Sequence, residues 1–265
     1  MERRAFQVSY PHSGVGEWTR AISRGRTHRQ AEAKRVTPAR LLSVIIPAHN
    51  EEDYVARTLA ALARQNYHSF EVIVVANGCT DRTAEAAQGR CDRLIVLSQK
   101  SLGVARNLGA RLAKGELLVF LDADTTLEPL TLRTIVDRFA IGDAVGTLKG
   151  RPNSDRFAYR LLYWLKNSIH RWLVHAGSSG VIICWKDQFL RNGGFDEGLE
   201  VRENSDLIHR LRRFGKYRYI DEVCATTSMR RYDQRGLRRV LWLWSRLWLR
   251  SVFGDLHQRR YETVR

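Results

Sequence analysis

The sequence lacks long apolar runs, closely spaced cysteines and an apolar leader. No stretch approaches the ~18 consecutive apolar residues of a spanning helix, so we expect no transmembrane segment. The segment after Met1 has no apolar core, so we expect no secretion signal. The four cysteines form no close pair and no metal-ligand spacing; they are Cys79, Cys91, Cys184 and Cys224. Such scattered cysteines are typical of reduced thiols and favour a cytosolic location.

Acidic residues are scarce compared with basic ones. The chain has 28 Asp and Glu against 44 Lys and Arg, which gives a formal net charge of +16. This excess of positive charge indicates an anionic partner, such as a nucleotide, a lipid head-group surface or nucleic acid. A length of 265 residues is sufficient for one large α/β domain with an extension.

The two ends of the chain differ from its middle. Residues 1–40 are rich in Arg, Gly, Ser and His without a sustained period, so we predict a basic mobile arm there. Residues 231–265 predict a basic amphipathic helix that carries Trp242, Trp244 and Trp248. Two interpretations of this helix stay open: it lies in a membrane interface, or it packs onto the domain through its aromatic face.

Between these ends, short apolar runs alternate with helical patterns. The predicted strands are 41–46, 70–75, 94–97 and 117–121. This alternation at short spacing is typical of βαβ units and a parallel sheet. Pro47 is expected to end the first strand, because proline cannot donate to a central ladder. Asn50 is expected to cap the helix that follows, which should run to about Gln65.

The second half of the chain has a less regular pattern. The predicted helices are 130–139, 157–175 and 204–213, and the predicted strands are 144–148, 180–185 and two short strands within 217–225. The long helix is rich in aromatic residues, among them Trp164 and Trp172. These rings either pack in a core or stack on a sugar or a prenyl chain of an acceptor.

The fourth predicted strand, 117–121, ends at two acids. Asp122 and Asp124 follow it, one residue apart. Loops at the carboxyl ends of strands in an open α/β sheet are where ligands bind. Two carboxylates there can hold Mg2+ or Mn2+ and, through the metal, a diphosphate. The alternative is a polar strand end whose acids are simply solvated.

Five motifs occur in the order expected of a known family. They are SVIIPAHNE at 43–51, NGCTD at 77–81, GVARN at 103–107, DAD at 122–124, and GGFDE at 193–197 followed by ENSDL at 203–207. Together they resemble family 2 of the glycosyltransferases over about residues 41–220.

The resemblance implies a GT-A domain at 41–230. This α/β fold has a Rossmann-like, mostly parallel sheet flanked by helices, here with a C-terminal amphipathic helical extension. It also implies a metal-dependent glycosyltransferase that uses Mn2+ or Mg2+ and a UDP- or GDP-sugar donor. The acceptor is not identified by the resemblance.

The resemblance assigns donor contacts to the first two motifs. Pro47, Ala48, Asn50 and Glu51 would line the base and the ribose. Asn77 stands where the family usually has an aspartate that reads the uracil edge. An amide can still pair with a base, so the preference for uracil stays open.

Charged residues of the next two motifs would handle the diphosphate. Arg106 is a candidate phosphate or nucleotide ligand, because a guanidinium matches such oxygens in a fork. Asp124 is the first candidate for a metal ligand, and Asp122 supports the metal or holds the ribose. Each of these residues could instead serve as a helix cap or in a surface ion pair.

The catalytic base is where the chain departs from the family. The usual pair of adjacent acids is here Glu203-Asn204, and an amide cannot act as a base at neutral pH. Glu203 and Asp206 are therefore the candidate catalytic residues. A retaining mechanism without a protein base and a loss of activity also stay open, as does a role for Asp206 as a helix cap.

Two other functions compete with this one. A sugar-phosphate nucleotidyltransferase shares the fold class, but the first strand is not followed by the Gly-rich, Lys-bearing loop that grips a triphosphate. A non-catalytic basic protein would bind anionic lipid or nucleic acid through its charge. We favour the glycosyltransferase, which would act in the cytosol or on the inner membrane face through the C-terminal helix. Its acceptor would be lipid-linked or a cell-envelope glycan precursor, and we expect no nucleic-acid partner.

Overall fold

The computed structural model describes residues 40–172, 178–199 and 202–236. The predicted basic arm, apart from Arg40, lies outside these residues. So does the predicted C-terminal helix beyond residue 236. Both therefore stay predictions.

The first half of the described chain alternates strands and helices. Its elements are β1 (Leu42–Ala48), α1 (Glu52–Ala63), β2 (Phe70–Asn77), α2 (Thr83–Ala87), β3 (Arg93–Leu97), α3 (Leu102–Leu112) and β4 (Leu117–Leu121). These strands pair in parallel in the order β3-β2-β1-β4. The predicted βαβ units and their parallel sheet are confirmed.

The second half extends the same sheet with strands of mixed direction. Its elements are β5 (Thr125–Leu127), α4 (Thr131–Arg138), β6 (Asp143–Pro152), α5 (Phe157–Trp172), β7 (Val181–Trp185), α6 (Lys186–Arg191), α7 (Glu203–Leu211), a 3-10 turn (Arg212–Phe214), β8 (Lys216–Thr227) and α8 (Arg230–Arg235). β7 runs antiparallel between β4 and β6, and β8 lies parallel to β6 and antiparallel to β5. The sheet order is β3-β2-β1-β4-β7-β6-β8-β5. The predicted fold class, a mostly parallel sheet flanked by helices, is confirmed.

Two expectations about strands were wrong. Pro47 does not end β1, because it still pairs with Val75 of β2. Pairing of β1 with β4 covers only Leu42 to Ile45, so Pro47 lies where the ladder on that side has already ended. The two short strands expected within 217–225 are one strand, β8, whose register against β6 shifts between Leu148 and Lys149.

The sheet is buried on both faces. In β4, Leu117, Val119 and Leu121 pack on one side with residues of α1 and α4. Leu118 and Phe120 pack on the other side with residues of α3, α6 and α7. A strand covered on both faces needs an unbroken apolar run, which is why β4 has five large apolar residues in succession.

A small separate cluster fixes the end of the described chain. Tyr159 and Tyr163 of α5 pack against Met229 and Tyr232, which lie just before and within α8. The helices of the described ranges are all too short or too polar to cross a membrane.

Candidate functional site

The candidate site lies where the order of the strands reverses. From β1 the chain adds β2 and then β3 on one side, and it returns to place β4 on the other. The loops that leave the carboxyl ends of β1 and β4 therefore diverge and leave a crevice, which is the usual ligand site of open α/β sheets. Residues 49–51 directly follow β1 and residues 122–124 directly follow β4, so both segments lie at this edge of the sheet.

The turn at 122–124 is held rigidly by three neighbouring segments. The Thr58 hydroxyl donates to the carbonyl of the middle residue at 2.7 Å. The Asp122 amide donates to the Gly180 carbonyl at 2.9 Å, and the Ser228 amide donates to the Asp124 carbonyl at 3.1 Å. The two aspartates of this turn are therefore presented by fixed backbone.

The loop after β1 is arranged differently from the expected helix cap. Asn50 has a left-handed backbone with φ of 54°, and it does not cap α1. Its side chain donates to the Thr80 hydroxyl at 2.8 Å and accepts from the Thr80 amide at 2.9 Å. Glu51 precedes α1, and its amide donates to the Thr83 hydroxyl at 2.7 Å. Asn50 thus ties the loop after β1 to the loop after β2.

Three of the predicted donor contacts are buried within the protein. Pro47 and Ala48 are buried residues of β1. The Asn77 amide nitrogen donates to the Ala48 carbonyl at 2.9 Å, and its side-chain oxygen accepts from the Ser101 amide at 3.2 Å. In this structure Asn77 therefore joins β1 to the start of α3.

Three carboxylates converge at the crevice. Burial raises the pKa of Glu51 to about 7, and the charges of Asp124 and Asp122 act in the same direction. Burial also raises the pKa of Asp124, with the charge of Asp122 as the next cause. One Glu51 carboxylate oxygen, Oε2, is buried without a hydrogen-bond partner among the described residues. Glu51 and Asp124 are thus harder to ionise in this crevice than they would be in water.

Arg230, at the start of α8, supplies positive charge to these acids. It forms an ion pair with Glu51, and its guanidinium lies 3.9 Å from a carboxylate oxygen of Asp124. The guanidinium also stacks over the ring of Tyr54, 4.2 Å from its centroid. α8 is the last described helix, and the contacts of Arg230 join it to the crevice.

Arg106 is the second cation of the site and is deeply buried. Its guanidinium donates to Asp122 at 3.0 Å, to Glu203 at 3.3 Å and to the side-chain oxygen of Asn204 at 2.9 Å. It also lies over the ring of Phe195, 4.9 Å from its centroid. The structure thus places Arg106 against protein groups that join β4 to α7, and its contact with phosphate stays a prediction.

The two candidate catalytic acids occupy different surroundings. Glu203 faces Arg106 and shares it with Asp122. Asp206 instead pairs with Arg210 one helical turn later, at 2.6 Å and 2.8 Å. Arg210 also donates to the backbone carbonyls of Asn192 and Gly194. Asp206 therefore has a structural partner within its own helix, and Glu203 lies with the charged groups of the crevice.

Helix α5 contributes a lysine that our reading of the sequence missed. Lys166 is electrostatically coupled to Asp122 and Asp124, and burial together with the charge of Arg231 lowers its pKa to about 8. Its ammonium lies 4.7 Å from the centroid of the Tyr163 ring. The spacing of Tyr159, Tyr163 and Lys166 could have revealed it, because residues four and three apart share one helix face.

A small cleft opens beside Asp124. Its volume is about 180 Å³, and it is lined by Tyr54, Arg57, Thr58, Asp124, Thr126, Asn153, Thr226 and Ser228. The cleft is bordered by α1, β5 and the end of β8, so Asp124 borders open space as well as the other charged groups.

The residues present fit a divalent cation that is shared with a ligand. Among the described residues no group of three or more His, Cys, Asp or Glu side chains is arranged as a complete metal site. Mg2+ is commonly held by one or two carboxylates together with substrate phosphates and water, so Asp122 and Asp124 suffice on the protein side. The raised pKa of Asp124 agrees with this, because a cation between the two carboxylates would relieve their repulsion.

Comparison with protein families agrees with the motif order. A family model described as Glycosyl transferase family 2 matches residues 43–231. The validoxylamine A glucosyltransferase of Streptomyces hygroscopicus subsp. limoneus is 40% identical over 104 residues, which are 36% of this chain and 23% of that protein. The chain thus spans about a quarter of the length of this curated relative.

Solved structures resemble the chain in fold. S. aureus TarS 1-349 in complex with UDP-GlcNAc matches with a TM-score of 0.55 and 21% identity, over 70% of this chain and 58% of that one. The mannosyltransferase PcManGT from Pyrobaculum calidifontis, in complex with GDP-Man and Mn2+, matches with a TM-score of 0.54 and 20% identity, over 70% of this chain and 56% of that one. At this identity the likeness shows the shared fold.

Proposed function

Because the chain belongs to glycosyl transferase family 2, we propose that it is a glycosyltransferase that moves a sugar from a UDP- or GDP-sugar to an acceptor hydroxyl. The observation that carries this proposal is that Glu51, after β1, and Asp124, after β4, face the same guanidinium of Arg230 at the crevice. The neighbours in complex with UDP-GlcNAc and with GDP-Man and Mn2+ support the class of donor.

We assign the metal site to Asp124 and Asp122. Bound Mn2+ or Mg2+ would stabilise the negative charge that develops on the leaving diphosphate. The unpartnered oxygen of Glu51 supports a further polar contact in the same crevice, to the metal's water shell or to the nucleotide.

We assign the phosphate contacts to Arg230 and Lys166. The Arg230 guanidinium lies 3.9 Å from a carboxylate oxygen of Asp124, and the charges of Asp122 and Asp124 act on the pKa of Lys166. In the donor complex, Arg230 exchanges Glu51 and Asp124 for phosphate oxygens, which suit a guanidinium fork. Arg106 then acts as a positioning residue that fixes Asp122 and Glu203, since its two terminal nitrogens face these protein groups.

We propose Glu203 as the general base in preference to Asp206. Glu203 lies at the Arg106 cluster of the crevice, whereas Asp206 is held by two of the three guanidinium nitrogens of Arg210. Asn77 and the buried Pro47 and Ala48 support the loops that would surround the base and ribose, through the hydrogen bond between Asn77 and the Ala48 carbonyl.

The acceptor and the cellular location are also matters of proposal. We propose an acceptor that is lipid-linked or a cell-envelope glycan precursor, reached in the cytosol or on the inner membrane face. The four cysteines are all free, which supports a reducing location.

The experiment that tests donor and metal use is a thermal-shift screen of UDP- and GDP-sugars with Mn2+, with Mg2+ and with EDTA. A ligand that saturates the folded chain at about 100 times its Kd stabilises it by about 2.7 kcal/mol. We expect stabilisation by at least one donor only when metal is present, and its loss in Asp124→Asn. Asp187→Asn is the matched control, because Asp187 is an exposed acid on α6. Equal stabilisation of wild type and Asp124→Asn would contradict the metal assignment.

The choice of base is tested on the donor identified by that screen. Glu203→Gln should lower the rate of sugar transfer or donor hydrolysis by about 100-fold or more at unchanged donor affinity, because general base catalysis contributes roughly 10²–10⁴-fold. Asp206→Asn should lower the free energy of unfolding but should leave the rate of sugar transfer or donor hydrolysis close to that of wild type. A full rate in Glu203→Gln would contradict the assignment and favour a mechanism without a protein base.

A further inference from the structure

Helix α5 turns an apolar face to solvent. The residues of this face, the α5 stripe, are Phe157, Leu161, Trp164, Leu165, Ile169 and Trp172. Their exposed fractions range from 40% to 79%. At about 100° per residue, the six side chains fall within an arc of about 140° on one side of the helix. A contiguous exposed apolar stripe of this size marks an interaction surface.

The opposite face of α5 is already anchored to the protein. Tyr159 and Tyr163 are buried in the cluster with Met229 and Tyr232, and Tyr159 donates a hydrogen bond to Asp233 at 2.7 Å. Only this side of α5 is therefore packed in an apolar cluster. The α5 stripe is left for a partner outside the described chain segments.

The charges beside the stripe select the kind of partner. α5 contains no acidic residue. Arg160 and Arg171 are exposed and lie along one edge of the stripe by helical geometry; Arg171 also pairs with Asp221 at 3.2 Å. Together with the net charge of +16, this edge suits an anionic surface. A second copy of the chain would instead bring like charges together.

We propose that the α5 stripe docks onto an anionic lipid bilayer, with its apolar side chains in the interfacial region and its arginines at the head groups. Two of the six exposed side chains are Trp, which is favoured where an apolar surface meets water. Through Tyr159 and Tyr163, helix α5 also packs against Met229, which directly precedes the crevice residue Arg230. Docking through the stripe would therefore bring the crevice close to the membrane surface.

Vesicle binding of the full chain tests this inference without a donor. The probes are vesicles of phosphatidylcholine alone and of phosphatidylcholine mixed with phosphatidylglycerol, with bound protein measured by flotation. We expect binding to the anionic vesicles, weakened about tenfold or more in the double variant Trp164→Gln/Trp172→Gln, because the loss of both apolar anchors together costs about 1.4 kcal/mol or more. Ile141→Gln is the matched control, since Ile141 is 89% exposed but lies outside α5.

The outcomes are decisive in either direction. A second double variant, Leu161→Gln/Leu165→Gln, is measured in the same way. The midpoint of urea unfolding of each double variant is compared with that of wild type, and an unchanged midpoint excludes misfolding as the cause of lost binding. Anionic-vesicle binding that equals wild type in both double variants would overturn the inference. A change from dimer to monomer in either variant, with vesicle binding intact, would also overturn it and assign the stripe to a second copy. Failure here leaves the proposed donor chemistry untouched, because donor binding is measured separately.

Discussion

Removal of the Arg106 guanidinium should destabilise the fold more than the loss of any surface ion pair. The Arg106 side chain is 4% exposed, and its guanidinium contacts Asp122, Glu203 and Asn204. Arg106→Met keeps an apolar side chain of similar length over Phe195 but removes the charge and every donor. It leaves two carboxylates near each other without the cation between them.

The loss of stability in Arg106→Met depends on how well water can hydrate each carboxylate that has lost its ion pair. Removal of one partner from a buried ion pair costs about 3–5 kcal/mol. The Asp122 side chain is 40% exposed, so water recovers much of its charge and its share is small. Glu203 is only 13% exposed and remains stranded. We therefore expect a loss of about 3 kcal/mol in the free energy of unfolding, at the lower end of that range.

The assay is urea unfolding followed by circular dichroism, in EDTA so that metal does not contribute. The control is Arg82→Met, because the pair of Arg82 with Glu52 is 3.6 Å long and the Arg82 side chain is 84% exposed; its loss should cost about 0.5 kcal/mol or less. Adding Glu203→Gln to Arg106→Met should restore part of the stability, since it removes the stranded charge. A loss below about 1 kcal/mol in Arg106→Met, or a loss no larger than that of the control, would refute the positioning role.

Three further predictions concern the pH dependence and packing of the same region. In the folded chain the pKa of Glu51 is raised to about 7 from 4.5, so the stability it contributes is complete below pH 4.5 and falls as the pH rises through 7. Urea unfolding across this range should show a loss on the order of 1–3 kcal/mol that is absent in Glu51→Gln. Burial raises the pKa of the Cys184 thiol, so iodoacetamide should label it only in unfolded protein, as mass spectrometry can show. Gly194→Ala should lower the free energy of unfolding by about 1 kcal/mol or more beyond the loss in Gly193→Ala. Both glycines have positive φ, but only at Gly194 would the new Cβ lie 2.5 Å from the side-chain oxygen of Asn107. Equal losses in the two variants would rule out that contact as the cause.

The parallel half of the fold was predictable from the sequence because its signals are local. Strands β1, β2 and β4 are short apolar runs buried on both faces, and each is followed by a helical pattern. Since β1 and β4 pair directly, the acids that follow β4 and the loop that follows β1 had to meet at one edge of the sheet. The position of the candidate site was therefore predictable from the pattern of strands in the sequence.

The partners of individual side chains were not predictable, because they come from distant parts of the chain. Asn50 looked like a helix cap from its neighbours, yet its side chain binds Thr80, thirty residues later. β5 is three residues long and pairs with β8, about a hundred residues later, so no local pattern marks it. Arg230 reaches Glu51 across 179 residues. Such contacts depend on the assembled sheet rather than on local propensity.

The amide of Asn204 is consistent with the charge balance around Arg106. The guanidinium carries one positive charge and already contacts two carboxylates, Asp122 and Glu203. Asn204 adds a hydrogen-bond acceptor at 2.9 Å without adding a third negative charge, and its amide nitrogen donates to the Ser178 hydroxyl at 3.3 Å. An acid in its place would share the same buried cation with two others, and like charges at such distances raise one another's pKa. The departure from the usual pair of acids therefore leaves Arg106 facing two carboxylates instead of three, and Glu203 is the carboxylate that α7 contributes to this cluster.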